Sequence, residues 1–440
     1  MKILVVGGGG REHALVRKIK ESPRVREIHC APGNGGIAAE AVHCQPIKAT
    51  DIPAMVDYAA KQAFDLVVVA PDDPLVMGMA DALEQRGIPA FGPGKKAAMI
   101  EGSKVFAKEL MERSCIPTAR HKSFCDPEQA MDYIRGLGEW PVVIKADGLA
   151  LGKGVVIAQD IVEAQQAVEQ IMVEKIFGQS GGSLVVEQFL SGPEVSVLSF
   201  CDGKTVVPMV SAMDYKRAHD NNQGPNTGGM GAIAPNPHYT PEVAERCMRE
   251  IFLPTVRAME ADGRPFKGCL YFGLMLTQSG PVVIEYNCRF GDPETQVVLP
   301  LLETDLVEIM LAVREGRLAE LDILWKEGAA ACVVMASGGY PVAYESGKII
   351  DGLDATGQLP QSDCTIYHAG TKRDESGRFL TAGGRVLCAS TIEASGGKVK
   401  QLYSATGESD SLNNALDSAY KAVWAISFED GYCRRDIGTH

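Results

Sequence analysis

Three polar side chains alternate with apolar ones in residues 282–290 (VVIEYNCRF). A strand directs successive side chains to opposite faces, so Glu285, Asn287 and Arg289 are predicted to share one face. The other face takes the apolar side chains Ile284, Tyr286, Cys288 and Phe290. Carboxylate and amide oxygens two residues apart suit Mg²⁺, and a guanidinium can hold a carboxylate or a transferring phosphoryl group. The alternation is also typical of a solvent-exposed sheet face, so both interpretations stand at this point.

A run of glycines in residues 7–13 (GGGGREH) follows a short apolar stretch at 2–6 that is predicted to be a buried strand. Glycines let a backbone approach an anion closely, and the following helix N-terminus offers free N–H groups. A dinucleotide site would need a glycine where Glu12 stands and an acid after the second strand, where residues 30–32 supply none. The segment therefore indicates either a site for a phosphate or small polar ligand, or a tight turn without a ligand.

Two lysines flank a second glycine-rich segment, residues 145–154 (KADGLALGKG). A Walker A loop requires G-x-x-x-x-G-K-[ST] between a strand and a helix, but Gly154 follows Lys153 here and strand patterns lie on both sides. The pattern indicates a β-hairpin tip whose N–H and ammonium groups could cover nucleotide phosphates. A solvent-exposed hairpin with incidental lysines is the alternative.

Acidic residues also flank two predicted turns. Glu187 and Glu194 lie on either side of a chain reversal at 191–193, where they could bind the amino and ribose groups of an adenosine or simply be exposed. Asp292-Pro293 is typical of a helix N-cap followed by a proline at the first helical position.

The elements that must position these residues alternate at first between strand and helix. Predicted strands cover 2–6, 25–30 and 65–70, with helices over 11–20 and 74–86, which indicates a parallel sheet in an α/β domain. After a helix at about 103–114, strand patterns dominate, at 141–145, 154–158, 184–188 and 195–200, with one helix near 160–173.

The second half of the chain adds a predicted helix near 241–261, strands near 269–277 and 281–288, and a helix from about 293. Residues 211–237 contain four glycines and three prolines and show no periodic pattern. A structureless loop of that length inside a compact region is usually functional or disordered. Residues 329–440 mix strands and helices and are predicted to form a separate C-terminal unit.

Composition limits the function classes. The 440 residues include 43 Lys plus Arg and 56 Asp plus Glu, a formal charge of −13, so we expect no nucleic-acid partner. No stretch approaches the ~20 apolar residues that span a bilayer, and no export segment is evident, so we expect no membrane association. The 12 cysteines contain no C-x-x-C pair and are expected to be reduced thiols in a cytoplasmic protein.

Seven motifs taken together resemble the glycinamide ribonucleotide synthetase family of ATP-grasp ligases, over essentially the whole chain. They are GGREHAL at 9–15, PGNGG at 32–36, KADGLALGKG at 145–154, GPNTGGMG at 224–231, NCRFGDPETQ at 287–296, HAGT at 368–371 and GRV at 384–386.

This resemblance implies an ATP-dependent ligation of glycine to 5-phosphoribosylamine through glycyl phosphate, with Mg²⁺ or Mn²⁺. It implies an N-terminal parallel-sheet α/β substrate domain at 1–103, an ATP-grasp core at 104–327 and a smaller C-terminal α/β domain at 328–440. A mobile β-hairpin lid is expected within about 118–191, and the chain is expected to be a monomer or weak dimer with small-molecule partners only.

The resemblance also assigns roles residue by residue. Nucleotide binding is expected from Lys104, Lys145, Gly148, Gly152, Lys153, Gly154, Glu187, Leu190 and Glu194. Glycine and sugar-phosphate binding is expected from Gly9, Gly10, Asn34, Asp214, Lys216, Asn226, Thr227, Gly228, Arg289 and Asp292. Metal ligation is expected from Glu285 and Asn287, and catalytic roles from Arg289, Lys153 and Asp214.

Two departures from the family pattern concern the site. Asp72 stands where the family usually has Glu, so its contact to the sugar would be one methylene shorter, and residues 274–277 supply no further acidic metal ligand. Three other classes of protein compete with this interpretation: a sibling ATP-grasp ligase, a nicotinamide dehydrogenase and a non-catalytic binding module. The glycine-rich motifs at 9–15 and 224–231 weigh against the sibling, Glu12 weighs against the dehydrogenase, and the intact phosphate and metal groups weigh against the module.

Overall fold

The structure is a computed structural model that describes residues 1–149, 154–401, 403 and 409–439. Gly152 and Lys153 of the predicted hairpin tip lie outside the described residues. No helix among the described residues is long and apolar enough to cross a bilayer.

The first hundred residues form a five-stranded parallel sheet of order β3-β2-β1-β4-β5. Its strands are β1 (Lys2–Gly7), β2 (Glu27–Pro32), β3 (His43–Cys44), β4 (Leu66–Val69) and β5 (Ala90–Phe91). Its helices are α1 (Gly10–Lys20), α2 (Gly35–Ala39), α3 (Ile52–Gln62), α4 (Asp72–Met77), α5 (Met79–Gln85) and α6 (Lys95–Gly102).

The central strands of this sheet are buried on both faces, as expected for parallel strands covered by helices. Ile3 and Val5 of β1 pack in one core, and Leu4 and Val6 pack in another. The predicted parallel sheet is therefore confirmed. The helix predicted over 74–86 is divided at Gly78, whose φ of 99° lies in the left-handed region that a continuous helix excludes.

Residues 104–188 contain α7 and a four-stranded antiparallel sheet of order β6-β9-β7-β8. The elements are α7 (Lys104–Arg113), β6 (His121–Phe124), α8 (Pro127–Leu137), β7 (Val142–Ala146), β8 (Val155–Ala158), α9 (Ile161–Val168) and β9 (Leu184–Gln188). A π-helical turn (Glu169–Val173) extends α9, and a 3-10 turn (Gly178–Gly181) precedes β9. The predicted hairpin strands on either side of residues 147–154 are confirmed, since β7 pairs with β8.

Residues 194–315 contain a central sheet, several short strands and helices. The elements are β10 (Glu194–Asp202), β11 (Val206–Pro208), β12 (Met213–Asp214), β13 (Arg217–His219), β14 (Gln223–Asn226), β15 (Gly231–Ala234), α10 (Pro241–Cys247), α11 (Leu253–Ala261), β16 (Lys267–Thr277), β17 (Gly280–Asn287), α12 (Thr295–Leu301) and α13 (Leu306–Glu315). A π-helical turn (Met248–Phe252) joins α10 to α11. The central antiparallel sheet has the order β11-β10-β16-β17.

A β-bulge interrupts the pairing of β17 with β16. Gly273 pairs with Glu285 and Leu274 pairs with Val283, which leaves Ile284 as the extra residue. Val283 and Tyr286 are therefore both buried, while Ile284 is only half-buried. The prediction that Ile284 shares a face with Tyr286 is wrong, because the bulge shifts the alternation by one residue.

The last sheet has the order β12-β15-β18-β22-β19 and draws strands from two distant parts of the chain. The C-terminal elements are β18 (Trp325–Ala336), β19 (Thr365–His368), β20 (Thr371–Arg373), β21 (Phe379–Thr381), β22 (Arg385–Val399) and α14 (Ser409–Trp424), of which β20 and β21 form a separate two-stranded sheet. Residues 211–237, which showed no periodic pattern, contribute four strands of two to four residues. Such short strands depend on long-range pairing, here of β15 with β18, and that pairing also joins the C-terminal segment to the middle of the chain.

Candidate active site

The polar face of β17 carries two oxygen donors near the centre of the molecule. Lys216 Nζ lies 3.4 Å from Glu285 Oε1 and 3.1 Å from Glu194 Oε2. The charge of Lys216 is the main cause that lowers the pKa of Glu285 to about 2, so this carboxylate is ionised at neutral pH. Asn287 Oδ1 accepts a 3.3 Å hydrogen bond from Arg289. A carboxylate and an amide oxygen on one strand match the donor set of a hard divalent cation.

Arg289 is held by acidic groups from the N-terminal domain. Its Nη2 lies 3.4 Å from Glu101 Oε1 and 3.8 Å from Asp72 Oδ2. Burial acts to raise the pKa of Asp72, but the charges of Arg289 and Arg11 lower it overall. The prediction from sequence placed Asp72 against the sugar and did not single out Glu101. The structure places both carboxylates beside the guanidinium of Arg289, which fixes its position.

Two lysines approach β17 from separate elements. Lys145 Nζ of β7 donates to Ile284 O at 2.9 Å, directly at the bulge. Lys104 Nζ, from the first residue of α7, donates to Gly148 O at 2.7 Å in the hairpin loop. Burial is the main cause that lowers the pKa of Lys104, and Glu285 opposes it. The predicted nucleotide-binding lysines Lys104 and Lys145 thus lie at the hairpin and at the strand that carries the oxygen donors.

Glu187 forms a buried ion-pair cluster instead of facing an open pocket with its carboxylate. Lys108 Nζ lies 2.9 Å from Glu187 Oε2, and Lys145 Nζ lies 3.0 Å from Oε1. Burial acts to raise the pKa of Glu187, but the two lysines lower it overall. Lys108 was not predicted, although its position one helical turn after Lys104 puts both lysines on one face of α7. Any contact between Glu187 and the adenine would therefore come from the main chain of Glu187.

The glycine turn after β1 meets the loop after β2, because Gly7 pairs with Pro32. Asn34 Nδ2 donates to Gly8 O at 2.9 Å and to His368 O at 2.7 Å, and its Oδ1 accepts from Ile37 N. Both ends of the Asn34 side chain thus bind main-chain groups, which belong to the glycine turn, β19 and α2. Asn34, which was predicted to be a substrate ligand, holds the edge of the glycine turn through these hydrogen bonds.

Asp292 lies between the glycine turn and the C-terminal segment. Its Oδ1 accepts from Gln296 Nε2 at 2.6 Å, and its Oδ2 lies 2.8 Å from Arg385 Nη2. The expected N-cap role is wrong, since α12 begins at Thr295 after Glu294 and the Asp292 carboxylate is engaged elsewhere. Arg385 belongs to the GRV motif at 384–386, and the motif did not predict it to be a site residue.

The loop at 226–229 borders the other predicted substrate residues. Thr227 Oγ1 donates to Lys216 O at 2.8 Å and accepts from Gly229 N at 3.0 Å. A Cβ on Gly229 would lie 2.6 Å from Asp214 Oδ1, which is buried with no hydrogen-bond partner among the described residues. Burial, followed by the charge of Glu294, raises the pKa of Asp214 well above its ordinary value. Asp214, Lys216 and Thr227 therefore lie close together around this loop.

The remaining predicted residues lie at the rim of this region. Gly154 O accepts from Ala146 N at 2.8 Å and closes the hairpin, while Leu190 is half-buried after β9 and Glu194 is exposed at the start of β10. Asn226 is half-buried at the end of β14. Gly152 and Lys153 lie in the part of the chain that the structure does not describe.

A second group of metal-ligating side chains lies apart from this site, at β2 and β3. One ligand atom each from Glu27, His29 and His43 falls within 4.8 Å of the others. The Glu27 Oε1 atom is already used, since His29 Nε2 lies 2.7 Å and Lys2 Nζ 3.1 Å away. We assign no ion to this group, because a cation there would face the ammonium of Lys2.

Comparison with known proteins identifies the family. Three family models match successive parts of the chain: the phosphoribosylglycinamide synthetase N domain over 1–101, its ATP-grasp (A) domain over 102–295 and its C domain over 330–401. A phosphoribosylamine–glycine ligase from Allochromatium vinosum is 46% identical over 440 residues, covering 100% of this chain and 98% of the relative. The chain belongs to the phosphoribosylglycinamide synthetase family.

Other members of the phosphoribosylglycinamide synthetase family are equally extensive matches. A phosphoribosylamine–glycine ligase from Caldanaerobacter subterraneus is 45% identical over 437 residues, covering 99% of each chain. The crystal structure of the Thermotoga maritima phosphoribosylamine–glycine ligase is 32% identical with a TM-score of 0.82, covering 99% of this chain and 100% of that one. The resemblance predicted from motifs, and the expected fold class, are thereby confirmed.

The fold extends to more distant ATP-grasp proteins. The biotin carboxylase domain of a Hydrogenobacter thermophilus 2-oxoglutarate carboxylase is 18% identical with a TM-score of 0.72, covering 98% of this chain and 91% of that one. That domain was solved in complex with the magnesium salt of ADP and with bicarbonate. At this level of identity the likeness shows the fold alone.

Proposed function

We propose that the chain ligates glycine to 5-phosphoribosylamine, converting ATP to ADP and phosphate and giving glycinamide ribonucleotide. The observation that carries the proposal is that Lys145 contacts the strand that holds Glu285 and Asn287. Lys104 contacts the hairpin loop, and the charge of Glu285 acts on the pKa of Lys104. The proposal is supported by the full-length likeness to proteins of that name. The expected domain bounds, 1–103, 104–327 with a lid at about 118–191, and 328–440, are part of this proposal.

Activation of glycine comes first, because a carboxylate is a poor electrophile for an amine. A glycine carboxylate oxygen forms a bond to the γ-phosphorus of ATP as the bond from that phosphorus to the β-phosphate oxygen breaks, releasing ADP. Such phosphoryl transfer needs positioning and charge stabilisation more than covalent help. The ammonium groups of Lys104 and Lys145 supply positive charge at the phosphates.

The donor set of β17 fits a resident cation. The Glu285 carboxylate is ionised, and Asn287 Oδ1 accepts a long 3.3 Å hydrogen bond from Arg289. Glu285 and Asn287 would hold a Mg²⁺ or Mn²⁺ ion, which supplies further charge neutralisation on phosphate oxygens. Lys216, which pairs with Glu285 here, would move toward Glu194 when that carboxylate is used.

Ligation follows at the acyl carbon. The phosphoribosylamine nitrogen attacks glycyl phosphate, the C–N bond forms, phosphate leaves with the C–O bond electrons, and the nitrogen loses a proton. Arg289, held by Glu101 and Asp72, would stabilise the negative charge that develops on the oxygen. The Gly9–Gly10 turn at the N-terminus of α1 would bind the sugar phosphate through main-chain N–H groups.

The hairpin lid between β7 and β8 would cover the nucleotide. Gly148 and Gly154 lie on either side of the segment that the sequence predicts to be the hairpin tip, with Gly152 and Lys153 in it. Closure of this segment over the nucleotide would exclude water from the acyl phosphate. Lys153 would then act at the phosphates only in the closed state. Leu190 and the main chain of Glu187 would border the adenine, and Glu194 the ribose.

The direct test measures ADP formation with each substrate omitted in turn. We expect strict dependence on ATP, glycine and 5-phosphoribosylamine, with glycinamide ribonucleotide formed in equal amount to ADP. ADP release with an unrelated acid and amine, at a rate equal to that with glycine and 5-phosphoribosylamine, would instead identify a sibling ligase.

A second test addresses the oxygen donors. Glu285→Gln should lower kcat by at least about 100-fold, because it removes the ionised ligand while keeping the side-chain shape. Glu109→Gln, at an exposed position on α7, is the matched control and should keep wild-type rates. Equal activity of the two variants would remove Glu285 from the site.

A further inference from the structure

Arg385 begins β22 in the C-terminal segment, yet its guanidinium lies among groups from two other segments. Nη1 donates to Gly228 O and to Asp292 O, each at 2.7 Å, and Nη2 donates to Asp292 Oδ2 at 2.8 Å. The Arg385 side chain is only 19% exposed. The Arg385 side chain, from the last sheet, therefore joins the loop at 226–229 to Asp292.

The first of these partners, Gly228, lies beside the region proposed to bind the substrate glycine. Gly229, the next residue after Gly228, lies against Asp214, since a Cβ on Gly229 would lie 2.6 Å from Asp214 Oδ1. The C-terminal segment contacts the same loop a second time, because Gly228 N donates to Tyr340 Oη at 3.1 Å. The loop conformation thus depends on two side chains outside the ATP-grasp elements.

The second partner, Asp292, lies beside the Gly9–Gly10 turn. A Cβ on Gly9 would lie 3.4 Å from Asp292 Oδ2, and a Cβ on Gly10 would lie 3.4 Å from Asp292 Oδ1. A Cβ on either glycine would thus meet the Asp292 carboxylate, which lies beside the turn assigned to the sugar phosphate. Any rotation of this carboxylate would change the space beside that turn.

We infer that Arg385 is a positioning residue for the amine substrate, setting the gap between the 226–229 loop and the Gly9–Gly10 turn through Asp292. This inference rests on the proposed function. Arg385 acts through main-chain carbonyls and the Asp292 carboxylate, so it orders the pocket without reacting. The C-terminal segment thereby helps to set affinity for the sugar-phosphate amine.

The geometry requires arginine. A planar guanidinium reaches the Gly228 carbonyl, the Asp292 carbonyl and the Asp292 carboxylate at once, whereas an ammonium is a single point of donation on a flexible stem. Lysine at this position keeps the charge but cannot hold both sides of the gap. Arg385→Lys is therefore the informative substitution, and Arg385→Gln removes the charge as well.

The test uses the full chain and steady-state ADP formation with each substrate varied. Arg385→Lys should raise the KM for 5-phosphoribosylamine about tenfold, and the KM for ATP should stay within about twofold. Tyr340→Phe, which removes only the bond from Gly228 N, should raise the amine KM about threefold in the same direction. Arg378→Lys is the control, since Arg378 is 59% exposed and pairs with Asp374 in the same segment.

The outcomes separate this inference from the proposed function. A wild-type chain without glycine- and amine-dependent ADP formation would overturn the proposed function and the inference with it. An active wild type whose Arg385→Lys and Tyr340→Phe variants keep the amine KM of Arg378→Lys would overturn the inference alone. A joint rise in the KM values of ATP and amine, with a lower melting temperature, would also overturn it, because that pattern marks a general structural role.

Discussion

Oε1 of Glu101 lies 3.4 Å from Nη2 of Arg289, and both side chains are largely buried. The other carboxylate oxygen of Glu101 accepts the backbone N–H of Cys288 at 2.6 Å. Glu101 belongs to α6 of the N-terminal domain, whereas Arg289 follows β17 of the central sheet. One carboxylate thus ties the orientation of the guanidinium to the main chain just before it, across two domains.

Glu101→Gln should lower kcat/KM about tenfold while leaving the fold intact. The amide keeps the shape and can still accept from Cys288 N, but it removes the charge that faces Arg289, which would then rely on Asp72 at 3.8 Å. Steady-state kinetics compared with Glu109→Gln measures the effect. Identical kinetics of the two variants would show that the charge of Glu101 is not needed to orient the guanidinium.

Arg289→Lys should lower kcat by about 100-fold or more. The ammonium cannot contact Glu101, Asp72 and the Phe290 carbonyl together while also donating to a developing oxyanion. Single-turnover measurement of glycinamide ribonucleotide formation isolates this step from product release. Near-normal single-turnover rates would place the stabilising donor elsewhere.

The polar face of β17 could be predicted from the sequence because strand alternation is a local property. Glu285, Asn287 and Arg289 do share a region, and the parallel N-terminal sheet follows from its alternating strands and helices. The bulge at Ile284 could not be predicted, since it depends on pairing with Gly273 of β16. Likewise, the Asp292 side chain does not cap α12 as expected, because Arg385 and Gln296 bind it.

Residues whose role depends on distant contacts were missed for the same physical reason. Lys108 carries a helical-spacing signal with Lys104, but nothing local shows that Glu187 reaches it from β9. Arg385 and Glu101 each act on a segment more than 90 residues away along the chain. Predictions from the sequence were therefore reliable for which motifs converge and unreliable for which side chains hold them together.

Lys108→Met should destabilise the fold by about 3 kcal/mol, because it leaves the buried Glu187 carboxylate with Lys145 alone. Burial lowers the pKa of Lys108 to about 8, and Glu187 keeps it charged at neutral pH. Urea unfolding at pH 7 measures the loss. Lys400→Met, which breaks an exposed pair with Asp322, is the control and should cost less than about 1 kcal/mol. Equal losses in the two variants would contradict the prediction.

The stability advantage of wild type over Glu285→Gln should shrink as the solution becomes acidic. Lys216 is the main cause that lowers the pKa of Glu285 from 4.5 to about 2 in the folded chain. The ionised carboxylate therefore stabilises the fold above about pH 4.5, and that stability is lost as the pH falls toward about 2. Unfolding free energies of both proteins between about pH 6 and pH 3 give the difference. A difference that is constant over this range would show that Glu285 has an ordinary pKa.

Gly10→Ala should raise the KM for 5-phosphoribosylamine about tenfold and leave the KM for ATP within about twofold. The added Cβ would lie 2.6 Å from Gln296 Nε2, and Gln296 is buried, so it must shift and disturb its bond to Asp292. Gly136→Ala on α8 is the matched control, because its Cβ would meet nothing within 4 Å. A change confined to the KM for ATP would assign the glycine turn to the nucleotide, since only the ligand that the turn binds should respond to a displaced Gln296.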